Sequence, residues 1–258
     1  MFNATRTGSG LEQYSIEELA SSYDDKGYTG LHSAACFGHL DKIAGGVTAA
    51  ELAAVKRSDD SETALHTAAG FGHLNQIKGG VTAEQLLSAP RQAPGGSALH
   101  RAAMYCHLDQ IKDGVTADQL AADGSGSHTS LHAAARAGAL DQIKDGVSVT
   151  DVLALNLPGV FEEALNAGHL DQFKGGTSLA QLNMIKSERP NETVAISVLR
   201  ILITASGKVI ENTLVGCPDA ARQLNESNST HMNALRKALT RNRAIQPFLT
   251  SGMTAAML

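Results

Sequence analysis

The residues with the plainest chemistry in this 258-residue chain are its ten histidines and three cysteines. Eight of the histidines fall into two rows of fixed spacing, His32, His66, His100 and His132, and His39, His73, His107 and His169. Zinc needs ligands that converge on one point. Regular rows without any C-x-x-C pair predict packing groups instead, with no metal and no cofactor. Ala139 breaks the second row. The cysteines, Cys36, Cys106 and Cys217, are odd in number and share no local context, which argues against a disulfide framework and for a reducing compartment. Cys217-Pro218-Asp219 reads as a helix start, where a thiol can ionise more easily, and His231 lies fourteen residues on. Thiol chemistry at Cys217 is therefore one reading and a small buried hydrophobe the other. The chain has no phosphate-binding G-x-x-x-x-G-K-[ST], and its Gly-Gly pairs lie between helices without the strand that a dinucleotide fingerprint requires.

The regular histidines belong to a longer regularity. TGLHSAACFGHLDKIAGGVT (29–48), TALHTAAGFGHLNQIKGGVT (63–82), SALHRAAMYCHLDQIKDGVT (97–116), TSLHAAARAGALDQIKDGVS (129–148) and GVFEEALNAGHLDQFKGGTS (159–178) align without a gap. Their anchors Leu31, Leu65, Leu99, Leu131 and Phe161 are 34, 34, 32 and 30 residues apart, so the length variation lies after the aligned block.

Each unit predicts helix, turn, short helix, turn, helix. Thr63 can cap a first helix whose apolar face is Leu65, Ala68 and Ala69, and Gly72 can end it. A short helix carrying Leu74 and Ile77 follows, and Gly79-Gly80 stops it. A third helix begins at a repeated capping box: Thr48/Glu51, Thr82/Gln85, Thr116/Gln119, Ser148/Asp151 and Ser178/Gln181. The polar loops 57–62, 89–96 and 123–128 should project as turns on one edge. Residues 1–28 contain one more box, Ser15 to Glu18, and read as a capping half-repeat.

The pattern T-x-L-H-x-A-A-x-x-G-H-L, as in TALHTAAGFGHL (63–74), resembles the ankyrin repeat over about residues 29–186. The usual Pro after Thr is here Gly30, Ala64, Ala98 or Ser130, and Gly-Gly or Asp-Gly interrupts the family's long second helix. The resemblance implies an all-α helical solenoid of five repeats, a first histidine row that ties down the opening Thr, and a second that packs at the inter-helix turn. It also implies a protein-binding scaffold. The two residues before each Gly-His turn would face a concave surface, which makes Phe37, Phe71 and Tyr105 an aromatic ladder, with Met104, Arg101 and Arg136 beside it. The competing expectation is that these rings pack between repeats.

Residues 187–258 show no repeat. Glu192 to Ser206 is apolar on nearly all sides, with further helices expected near 218–225 and 229–244, together a C-terminal helical module that covers the last repeat. On the last helix Arg236, Lys237, Arg241 and Arg243 form either a solvated basic face or one for an acidic partner or membrane surface. Function thus divides between a scaffold that binds a protein partner, in one version a host protein met by a bacterial effector, and an enzyme whose catalytic C-terminal module the repeats target.

Composition agrees with packed helices. The chain is 43% apolar with only six Phe, four Tyr and no Trp, so Ala, Leu, Ile and Val must build its core. Up to Glu226 there are 26 acidic and 17 basic residues, a net of -9, followed by +4, which makes nucleic acid a poor partner for the main body. No apolar stretch spans a bilayer and no N-terminal signal design is present, so the expected location is cytoplasmic, or a host cytosol reached without a signal peptide.

Overall fold

In the computed structural model the described residues are 1–177, except 59–61, 90–95, 126–127 and 158, together with Gln181 and Cys217. They are mainly helical: eleven short α-helices, six single 3-10 turns and one two-stranded ribbon, β1 (Gly124–Ser125) with β2 (His128–Thr129). By packing the chain divides into two compact units. One comprises Met1–Ala134 with Gln142–Asp145, and the other Ala135–Asp141 with Gly146–Leu258. That division cuts through the fourth repeat and does not follow 28/29 or 186/187. The expected C-terminal helices and their basic face lie outside the described residues.

In the first unit α1 (Phe2–Thr7), α3 (Gly30–Phe37), α5 (Ala64–Phe71) and α7 (Ala98–Met104) pack side by side in that order. Each is followed by a 3-10 turn, Leu11–Gln13, Leu40–Lys42, Leu74–Gln76 or Leu108–Gln110, and by a six-residue helix, α2 (Ile16–Ser21), α4 (Ala49–Ala54), α6 (Ala83–Ser88) or α8 (Ala117–Ala122). The expected middle helix is thus a single 3-10 turn, and in the aligned repeats a Gly-Gly or Asp-Gly pair in the left-handed conformation follows it. Residues 1–28 hold a helix, a 3-10 turn and a capped helix, which is the whole pattern and more than the half-repeat expected from Ser15 alone.

The local signals act as their chemistry requires. Gly38 and Gly72 end α3 and α5 in the left-handed conformation, at φ 72° and 74°. The third unit instead places Cys106 at φ 61°. The boxes at Ser15, Thr48, Thr82, Thr116 and Ser148 all form, whereas Ser178 lies outside the described residues. The core is columnar: Leu40, Leu74 and Leu108, Val47, Val81 and Val115, and Leu52, Leu86 and Leu120 are fully buried. The residues of α9 (Ser130–Ala137) are divided between the two units, and the other unit contains α10 (Val149–Ala154) and α11 (Gly159–Ala167). There Phe161 and Phe173 replace two aliphatic columns and stack at 4.6 Å between centroids.

Neighbouring repeats are joined by a polar ladder. The amides of Lys78, Lys112 and Lys144 each donate to the carbonyl of Val47, Val81 or Val115 at 2.8 Å. Gln76 donates through Nε2 to the Gly38 carbonyl and accepts the Leu40 amide on Oε1, at 2.9 and 3.0 Å. Gln110 accepts the Leu74 amide, and Gln142 repeats the full bridge to Leu108 and Cys106. In the second unit Gln172 makes the same bridge to Leu140 and Gly138. The second histidine row forms a further rung. The rings of His39, His73 and His107 lie against Gly8, Gly38 and Gly72 so closely that a Cβ there would sit within 3.0 Å of them. His73 Nδ1 lies 2.7 Å from the Ala35 carbonyl, to which it donates.

Candidate functional site

A concavity of about 1170 Å³ lies in the first unit, across the helix ends of α3 and α5 and the turns that precede the helices. Its floor is made of small side chains, Ser33, Cys36, Thr67 and Gly70, and one wall carries Phe37, Phe71 and Tyr105. These rings occupy the same position in three successive repeats and are 47, 55 and 53% exposed, and the covered side of the Tyr105 ring lies beside Gly70 of the preceding repeat. Arg101 lines the same groove. Met104 is exposed but is not among the groove residues, and Arg136 belongs to the second unit, where it forms a two-pronged ion pair with Glu163.

The opposite wall was not anticipated. It carries Tyr23, Asp24, Asp25, Lys26 and Tyr28 from the first turn and Glu62 from the second. A bridge Tyr23–Thr29 pinches the first turn into a narrow finger, and a bridge Lys56–Thr63 joins the two ends of the second. Asp24 shapes its finger by accepting the amides of Lys26 and Tyr28 at 2.9 Å. Ser58 then donates its amide to the Gly27 carbonyl, tying the second turn to the first.

Glu62 organises the middle of this wall. Its Oε1 accepts from Arg101 Nη1 at 3.0 Å and from Thr67 at 3.2 Å, and Arg57 Nη1 stands 3.9 Å from Oε2. The Arg57 guanidinium also lies over the Tyr28 ring at 4.1 Å. The Glu62 carbonyl accepts the Arg57 amide at 2.9 Å and faces His32 Nε2 at 3.3 Å. Arg101 is therefore a structural clamp across the groove, and its charge is already compensated.

His32, His66 and His132 of the first histidine row cap helices through their rings. Thr29 and Thr63 each give both their hydroxyl and their amide to the Nδ1 of His32 or His66, with hydroxyl distances of 2.8 and 2.7 Å. The threonine oxygen in turn accepts the histidine amide. Burial lowers the pKa of both rings, that of His66 to about 4, so both are neutral at physiological pH.

Burial, reinforced by the Glu62 carboxylate, pushes the Cys36 thiol up, which keeps it protonated. Ser130, His100 and Asp123 have the composition of a hydrolytic triad but the wrong connections. Ser130 and Ser97 both donate to the Asp123 carboxylate, and His100 Nδ1 meets Ser130 Oγ at 3.3 Å. In a triad the acid orients the histidine and the histidine takes the serine proton. Ser130 is also fully buried, as is Cys217. His128 and His132 are spaced i, i+4, but Nδ1 of His132 is committed to Thr129, and no group of three His, Cys, Asp or Glu side chains converges among the described residues. No helix among the described residues is long and apolar enough to cross a membrane. No protein-family model matches the chain, and no curated protein matches it significantly.

Proposed function

We propose that the chain is a divergent ankyrin-type repeat protein that binds a partner protein in the groove of its first three repeats. The observation that carries the reading is the aromatic ladder: three of the chain's ten Phe and Tyr residues stand half exposed in one register above a floor of small side chains. Large exposed rings around a concavity are the residues that dominate protein interfaces. The left-handed glycine after the first helix and the capped Thr–His pair support the repeat family, as do contacts that each repeat makes with its neighbours. The 3-10 turn and six-residue helix stand where the family has one long helix.

The test is the double variant Phe71→Ser/Tyr105→Ser, compared with the unaltered chain for capture of proteins from a lysate and for affinity to whichever protein is recovered. The binding reading expects a melting temperature within a few degrees of the original and an affinity loss of about 2 kcal/mol or more, roughly 30-fold in Kd. Undiminished affinity at a temperature where both proteins are folded would move the binding surface away from the ladder.

A further inference from the structure

We propose that Gly70 is the seat of an anchor in the groove: a partner peptide places one large apolar side chain on it, against the ring of Tyr105. The proposal rests on the binding reading above and names the residue that selects the anchor.

The register of the helices defines the seat. Arg6, Cys36 and Gly70 each stand two residues before the glycine that ends their helix, Gly8, Gly38 or Gly72. Ahead of the aligned repeats, the Arg6 guanidinium lies over the ring of Phe37, 6.0 Å from its centroid. Tyr105 stands to Gly70 as Phe37 stands to Arg6, and a Cβ placed on Gly70 would meet Cδ2 and Cε2 of the Tyr105 ring at 3.8 and 3.9 Å. The side chain that covers the next ring at Arg6 is thus the one that Gly70 does not have. The fold does not demand a glycine there. Gly70 lies inside α5 and outside the left-handed region, and the atoms nearest to such a Cβ stand at 3.6 Å or more, which is ordinary contact. An alanine would fit and would favour the helix.

The walls of the seat are hydrocarbon. The three atoms closest to that Cβ are carbons, Cδ of Arg101 and the two ring carbons of Tyr105. The charges around it are matched or absent. The Arg101 guanidinium is paired with Glu62 Oε1 at 3.0 Å, and the Cys36 thiol stays protonated. Burial lowers the pKa of His107, which also lines the groove, so this ring is neutral at physiological pH. Asp25 and Lys26, whose side chains are exposed, belong to the opposite wall. A charged side chain on Gly70 would therefore lose water without gaining an opposite charge, whereas an aliphatic or aromatic one exchanges water for carbon. An arginine of the partner would also meet Arg101, four residues before Tyr105, where Ser33 holds the corresponding place before Phe37. The seat thus differs in its chemistry from the one that Arg6 fills. One large apolar side chain enclosed by rings is the usual form of an interface anchor.

The experiment is selection of a random-peptide display library on the full chain. The recovered peptides are then measured for affinity to the original chain, Gly70→Ala, Gly70→Leu and Phe71→Ser/Tyr105→Ser. They should share one Leu, Ile, Met or Phe. Their affinity should fall at least about 30-fold for Gly70→Leu, which fills the seat from within, and about 5-fold for Gly70→Ala. Gly70→Ala should melt at or above the temperature of the original chain. A lower melting temperature would show that the fold itself needs the glycine, and overturns the proposal. Peptides that bind Gly70→Leu undiminished but are lost on Phe71→Ser/Tyr105→Ser overturn the seat and leave the binding reading standing, as do peptides whose shared residue is charged. Peptides indifferent to all three variants overturn both, and recovery of no peptide overturns the seat. If Gly70→Leu does not fold, Gly70→Ala decides, and an unchanged affinity refutes the seat.

Discussion

Asp123 is 2% exposed, and its carboxylate receives the hydroxyl protons of both Ser97 and Ser130. Hydrogen bonds to a buried acceptor cost the desolvation of their donors when the acceptor is removed, so Asp123→Ala should destabilise the chain by roughly 2–4 kcal/mol in urea unfolding. A loss below about 0.5 kcal/mol would mean that water replaces the carboxylate at no cost. Cys106 predicts the opposite sign. It holds a left-handed conformation, at φ 61°, that glycine adopts in the first two repeats, and a β-carbon there is strained. Cys106→Gly should raise stability by about 1 kcal/mol, read as a higher melting temperature. The following repeat is also the one with Ala139 in place of the histidine whose counterparts crowd the glycine, so sequence alone marks these as paired exceptions.

Among the elements, the helix starts were legible because a capping box is a local spacing of three residues, and of the six that can be read along the sequence the five in described residues form. The glutamine ladder recurs just as regularly, at Gln76, Gln110, Gln142 and Gln172, yet its meaning was hidden. Its partners lie 34 to 38 residues earlier at the described rungs of the first unit, so nothing near the glutamine shows what it holds. The same distance hid the finger wall, since Arg101 meets Glu62 across 39 residues, and Tyr23 and Tyr28 precede the aligned repeats. The ladder rings were found because they fall in register. Since Gln110 gives the buried turn at Leu74 the acceptor for its amide, Gln110→Ala should cost roughly 1–3 kcal/mol. Gln85→Ala, which removes an exposed capping partner, should cost under about 1 kcal/mol. Equal losses in thermal unfolding would contradict the distinction between a staple and a cap.

For the whole molecule, acid is the condition that these contacts resist least. His66 has a folded pKa of about 4, below the value near 6.5 that it regains on unfolding. Its contribution is complete above pH 6.5 and is lost progressively as pH falls through that window to about 4. The loss is roughly 3 kcal/mol, with His32 adding in the same direction. Urea midpoints should therefore fall steadily from pH 7 to pH 4, and the fall should shrink in His66→Gln; a flat profile over that range would refute it.

The nearest-neighbour ladder also works as a copying rule. Among the described residues each of these rungs joins a residue to one about a period away, in the adjacent repeat. A duplicated segment 34 residues long, such as 65–98, would therefore arrive with a complete set of donors and acceptors already matched to those on either side. The same insertion would add a fourth ring to the row of Phe37, Phe71 and Tyr105. Groove length in such a chain can change by whole repeats in one genetic step, without a new contact having to be invented.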